Sequence, residues 1–152
     1  METINDIAEY ADDKYGNRIF ARMVALQVLY QNDMNPDSRR DLTEEFLAEE
    51  LPEHEAVHQF TYKLIDGVEE NREKIDSMLQ QFTHNWSLER MTTIDRNILR
   101  LATYEIFYMK TPSSIVINEA IELAKKFSSK NSAAFVNGIL DQLGKHEKKE
   151  IE

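Results

Sequence analysis

Two kinds of side chain in this sequence could do chemistry, and they point in different directions. His54-Glu55-Ala56-Val57-His58 matches H-E-x-x-H. On a helix that spacing sets two imidazoles on one face, able to hold zinc, with the glutamate placed to activate a metal-bound water. The surroundings argue against a zinc hydrolase. The motif follows the breaker Leu51-Pro52 in the most acidic stretch of the chain, and its extended form fails: Thr61 stands where a glycine belongs and Leu64 where a third histidine belongs. Two solvent-facing histidines at the start of an acidic helix are the expectation. The second kind is cationic. Arg18 and Arg22, with Lys14 one turn earlier, share one face of a helix that is otherwise nearly all apolar. Rigidly presented guanidiniums suit phosphate contacts, and the alternative is pairing with the acidic residues of 41–55. Lys125, Lys126 and Lys130 form a second basic group around an inter-helix loop. No G-x-S-x-G, G-x-x-x-x-G-K-[ST] or G-x-G-x-x-G occurs, and four glycines in all leave no phosphate-cradling loop. No cofactor is expected.

Charge decides how the cations are read. The net charge of −10 is local: residues 1–16 carry −4 and residues 41–60 carry −7, leaving the remaining 116 residues at +1. A basic face elsewhere is therefore compatible with an RNA partner, while binding driven by bulk charge alone is not. At 152 residues with 41% hydrophobic content, the chain has enough apolar material for a real core. The absence of cysteine excludes disulfides, thiolate metal sites and thiol nucleophiles. No apolar run approaches the ~20 residues of a membrane-spanning helix, and the acidic start Met1-Glu2-Thr3-Ile4-Asn5-Asp6 lacks a signal-peptide pattern. A soluble cytoplasmic protein is the expectation.

The elements that must position these groups read almost entirely at helical period. Residues 17–32 form a strong helix, apolar on most sides from Ile19 to Tyr30. A loop follows at 32–38, then a short acidic helix over 41–50. Residues 53–83 read as two helices, with Val57, Phe60, Leu64, Ile65 and Val68 inward on the first and Ile75, Met78, Leu79 and Phe82 on the second; Gly67 and the polar run 69–72 mark the break. After a connector anchored by Trp86, Thr92 and Asp95 give a capping pattern for a helix to about Tyr108. Thr111-Pro112-Ser113-Ser114 ends it and caps the next, over 115–127. The last helix covers 131–143; Gly138 within it costs about 1 kcal/mol in propensity and implies a close helix approach there, and Gly144 suits its end. Arg96 and Arg100 reach the basic surface or pair with Glu105 and Asp95. The fold class is all-α, a compact bundle of about seven helices. Residues 1–16 are an acidic extension, 17–143 the folded domain and 144–152 a polar tail expected to fray.

Four stretches, in this order, resemble the transcription antitermination factor NusB family: Ala21-Arg22-Met23-Val24-Ala25-Leu26-Gln27-Val28-Leu29-Tyr30; Trp86-Ser87-Leu88-Glu89-Arg90-Met91; Asp95-Arg96-Asn97-Ile98-Leu99-Arg100-Leu101-Ala102-Thr103-Tyr104-Glu105; and 117–127, INEAIELAKKF, with Phe135-Val136-Asn137-Gly138-Ile139-Leu140-Asp141. The resemblance spans about residues 17–143. It implies two small helical subdomains and a non-enzymatic RNA-binding adaptor of the transcription elongation complex. Such proteins pair with ribosomal protein NusE, bind the boxA element of nascent RNA and promote read-through of ribosomal RNA operons.

Carried over by position, the resemblance places Arg18 and Arg22 at the RNA-contacting start of the first helix and Tyr30 at its end, at a site of RNA or partner contact. It places Lys125, Lys130, Asn131 and Ser132 near a loop that lies toward RNA, and Glu89 and Asp95 on the side facing NusE. Ile19 and Phe20 stand among the arginines where the family has further basic residues. That motivates an alternative reading: a protein–protein adaptor, or a homodimer burying the arginine face, with weak RNA binding.

Overall fold

The computed structural model describes residues 14–38, 55–83 and 87–151. Among them lie six α-helices and two short 3-10 turns, with no strand: α1 (Lys14–Met34), α2 (Glu55–Glu70), α3 (Arg72–Gln80), α4 (Thr93–Phe107), α5 (Ser113–Phe127) and α6 (Lys130–Ile151), with 3-10 turns at Pro36–Ser38 and Leu88–Arg90. The acidic helix expected at 41–50, the break at Leu51-Pro52, residues 1–13 of the expected extension 1–16, His54 and Trp86 lie outside the described residues, while residues 14–16 of that extension begin α1. The chain divides into two compact units, Met1–Gly67 and Val68–Glu152.

The first unit contains α1 and most of α2. α1 is buried nearly all round, from Phe20 through Leu26 and again at Val28 and Leu29. That follows from its sequence, in which apolar residues leave only a narrow polar stripe. On α2, Val57, Thr61, Leu64 and Ile65 are buried at helical spacing. Thr61 is accommodated because its hydroxyl donates to the Val57 carbonyl at 2.7 Å, so no buried hydroxyl is left unpaired. The break before α3 falls at Asn71, with φ −110° and ψ 14°. Gly67 lies buried within α2 and is not the break.

In the second unit, α4 packs against α3, α5 and α6, and α5 packs against α6. α4 is buried from Asn97 to Ile106, polar residues included. The Thr92 side chain accepts from the Asp95 N–H at 3.1 Å, as the capping pattern requires. At the other end of α4, Lys110 adopts φ 57° and the Thr111 N–H reaches back to the Glu105 carbonyl at 3.1 Å. This closes the helix in the left-handed manner that glycine usually supplies. Pro112, rather than a serine side chain, holds the cap position of α5.

Three expectations are corrected. The polar tail does not fray at Lys145: α6 continues to Ile151, passing straight through Gly144. The close helix approach is at Gly144, not Gly138. A Cβ on Gly144 would lie 3.3 Å from the Ser113 Cβ and 3.7 Å from the Ile117 Cδ1, whereas a Cβ on Gly138 would meet nothing within 4 Å. Arg100 does not reach a basic surface: it is buried and pairs with Asp76 on α3, where Nε donates to Oδ1 at 2.8 Å and Nη2 to Oδ2 at 3.0 Å. Its Nη1 also donates to Asn97 Oδ1 at 3.3 Å. A guanidinium only 5% exposed needs such a two-pronged partner, because an unpaired buried charge is costly.

Candidate nucleic-acid interface

In the first unit, Arg18 and Arg22 converge on one aromatic ring. The carbon at the centre of each guanidinium lies 5.6 Å from the centroid of Phe60. Arg18 is exposed, while Arg22 is only 5% exposed. The two arginines expected on one solvent-facing stripe therefore differ: one is presented to solvent, the other is embedded beneath it. The reason is the near-complete burial of α1 around Arg22, where Ala21, Met23, Val24, Ala25 and Leu26 are all buried. Phe60 on α2, expected in the core stripe, is half-buried. Sequence reading missed its role because its spacing is that of a core residue; the contact with α1 depends on the tertiary fold. Tyr30, toward the end of α1, is 37% exposed, with Met34 one turn later also exposed.

In the second unit, the loop between α5 and α6 is built from serines. Ser129 Oγ accepts from the Ser132 N–H at 3.0 Å, capping the start of α6. Ser128 and Ser129 hydroxyls lie 2.8 and 3.2 Å from that of Ser132. The Ser132 hydroxyl donates to Asp95 Oδ2 at 2.9 Å. Asp95 is thus not an exposed acid. It is 6% exposed, and its Oδ1 has no hydrogen-bond partner among the described residues. Its place at the first turn of α4, beneath the α5–α6 loop, turns its carboxylate inward to hold that loop. Around the loop, Lys125, Lys130 and Asn131 are exposed. Lys125 lies 3.6 Å from Glu122, but both side chains are more than half exposed, so water competes and the pair holds the lysine only weakly. Glu89 is exposed in the Leu88–Arg90 turn.

The H-E-x-x-H stretch is only partly among the described residues, since His54 lies outside them. Among the described residues no group of three His, Cys, Asp or Glu side chains could hold an ion. Likewise no helix among them is long and apolar enough to cross a membrane.

These features define an all-helical protein with a ring-held arginine pair in one unit and a serine loop flanked by lysines in the other. Comparison with known proteins names the kind. The NusB family model matches residues 20–145, and the chain belongs to the NusB family. It is 42% identical over 137 residues to the transcription antitermination protein NusB of Thermodesulfovibrio yellowstonii, covering 84% of this chain and 91% of that one. The fold is similar to that of NusB from T. maritima, with a TM-score of 0.74 and 39% identity over 84% of this chain and 90% of the other. It is also similar to a crystal structure of antitermination factors NusB and NusE in complex with dsRNA, with a TM-score of 0.78 and 28% identity, covering 86% of this chain and 97% of that one.

Proposed function

We propose that this protein is a transcription antitermination factor that binds boxA-type single-stranded RNA together with ribosomal protein NusE. In this role it joins the transcription elongation complex and promotes read-through of ribosomal RNA operons. The observation that carries the reading is the similarity, along most of its length, to a NusB solved with NusE and RNA. The chemistry of the two basic groups supports it. Arg18 supplies an exposed guanidinium for backbone phosphate, with Arg22 behind it. Lys125 and Lys130 supply further positive charge, and Asn131 and Ser132 supply polar groups beside them. Tyr30 offers a half-exposed ring on which a base can stack. Glu89 is the acid available to NusE, while Asp95 acts from beneath by fixing the loop through Ser132. No step of this function requires bond chemistry, so the protein acts as an adaptor rather than an enzyme, and it works in the cytoplasm where nascent RNA is made.

Fluorescence anisotropy tests this directly. A boxA-like single strand, the same sequence as a duplex and a scrambled strand are titrated with the protein, alone and with NusE, at two salt concentrations. The expected result is a preference for the boxA-like single strand that NusE strengthens. Equal binding of scrambled RNA even with NusE present sinks the RNA reading. Light scattering of the free protein separates the alternative, since a homodimer that dissociates with RNA indicates a buried arginine face. The burial of Arg22, which leaves one exposed guanidinium where two were expected, is the observation that favours testing it.

A further inference from the structure

Two guanidiniums one helical turn apart repel each other, and burying one of them raises the cost of keeping both charged. On α1 they are nonetheless held together, and what lies at both is the Phe60 ring, at 5.6 Å from each. The face of an aromatic ring is electronegative and attracts a cation within about 6 Å of its centroid. A ring shared by two cations offsets part of their repulsion and restricts where each can point. Arg18 is exposed on a flexible stem; with no fixed neighbour it would sample many rotamers and pay that entropy on meeting a phosphate.

We infer that Phe60 is a positioning residue for RNA binding: its ring, which also lies against the buried Arg22, orders the exposed Arg18 guanidinium toward the RNA backbone. This rests on the proposed RNA-binding function and adds to it a residue whose type is neither basic nor polar. The ring acts through the arginine and not as a stacking surface for a base.

The test is a double-mutant cycle on RNA affinity in the full chain, using the boxA-like single strand with NusE present. Phe60→Leu keeps an apolar side chain but removes the ring; Phe60→Tyr keeps the ring. Phe60→Leu is expected to weaken RNA binding roughly three- to tenfold, the range of one partly exposed cation–ring contact. Phe60→Tyr is expected to bind like the unmodified protein. In an Arg18→Ala background, Phe60→Leu is expected to add little further loss, and NusE affinity and the helical circular dichroism stay unchanged throughout. Unchanged RNA affinity in Phe60→Leu, with Arg18→Ala clearly weakened, overturns the positioning role alone. A full additional loss from Phe60→Leu in the Arg18→Ala background overturns it in favour of direct base stacking. Unchanged affinity in Arg18→Ala, or no RNA binding by the unmodified protein, overturns both this role and the assignment of the arginine face to RNA.

Discussion

Replacing Gly138 and Gly144 each by alanine separates helix propensity from packing within a single helix. Both glycines lie inside α6, and in a helix interior alanine is more favourable than glycine by about 1 kcal/mol. At Gly138 the added methyl would meet nothing within 4 Å, so the whole gain is realised. Gly138→Ala is expected to stabilise by about 1 kcal/mol, raising Tm by about 2–4 °C for a chain of this length. At Gly144 the same methyl would sit 3.3 Å from the Ser113 Cβ and 3.4 Å from its Oγ. The hydroxyl can rotate away, but the Cβ is fixed by the first turn of α5. Overpacking of this kind costs about 1–3 kcal/mol, so the propensity gain is cancelled or reversed. Urea denaturation followed by circular dichroism should therefore place Gly144→Ala below Gly138→Ala by about 1–3 kcal/mol. Adding Ser113→Gly to Gly144→Ala should recover part of the difference by removing the obstructing Cβ. Equal stabilisation by both alanines, or no recovery in the double variant, would refute the packing account.

Asp76→Ala strips the carboxylate from the buried Arg100 and is expected to cost about 3 kcal/mol in urea denaturation; a loss below about 1 kcal/mol would mean the guanidinium finds water or another acceptor at little cost. Ser132→Ala removes the hydroxyl that donates to the buried Asp95 and should cost about 1–3 kcal/mol. Thermal melts of that variant check the value, and an unchanged Tm would contradict the bracing role. Lys110→Gly relieves a left-handed backbone at φ 57° and should stabilise by about 1 kcal/mol; a lower Tm would show that the side chain contributes more than the strain. Alanine at both Lys125 and Lys130 should leave the melt unchanged and make the salt dependence of RNA binding shallower, by about 0.7 in slope for each phosphate no longer neutralised; an unchanged slope would remove these lysines from the interface.

The helices were legible because their signals are local. Thr92 and Asp95 announced the start of α4 three residues apart, and the hydrogen bond between them is there at 3.1 Å. The apolar belt from Phe20 to Leu29 showed that α1 is buried on most sides, and it is. Glycine was less readable. Gly67, Gly138 and Gly144 all lie in helix interiors, and nothing local distinguishes the one held against a neighbouring helix from the one facing open space. The end of α6 was missed because a polar, charged segment has neither apolar period nor breaker to declare it, yet lysine and glutamate are good helix formers and continue a helix already nucleated.

The sequence by itself determined the all-helical class, the order of its elements and the residue types available for binding RNA, because helix period, caps and charge are properties of neighbours along the chain. Only the tertiary structure decided what each charged group does. Arg22 is embedded and shares the Phe60 ring with Arg18; Asp95 turns inward to Ser132 across 37 residues; Arg100 finds Asp76 across 24. A charge is defined by its sign in the sequence, but its worth depends on distance and on exclusion of water, and both are set only when the helices pack.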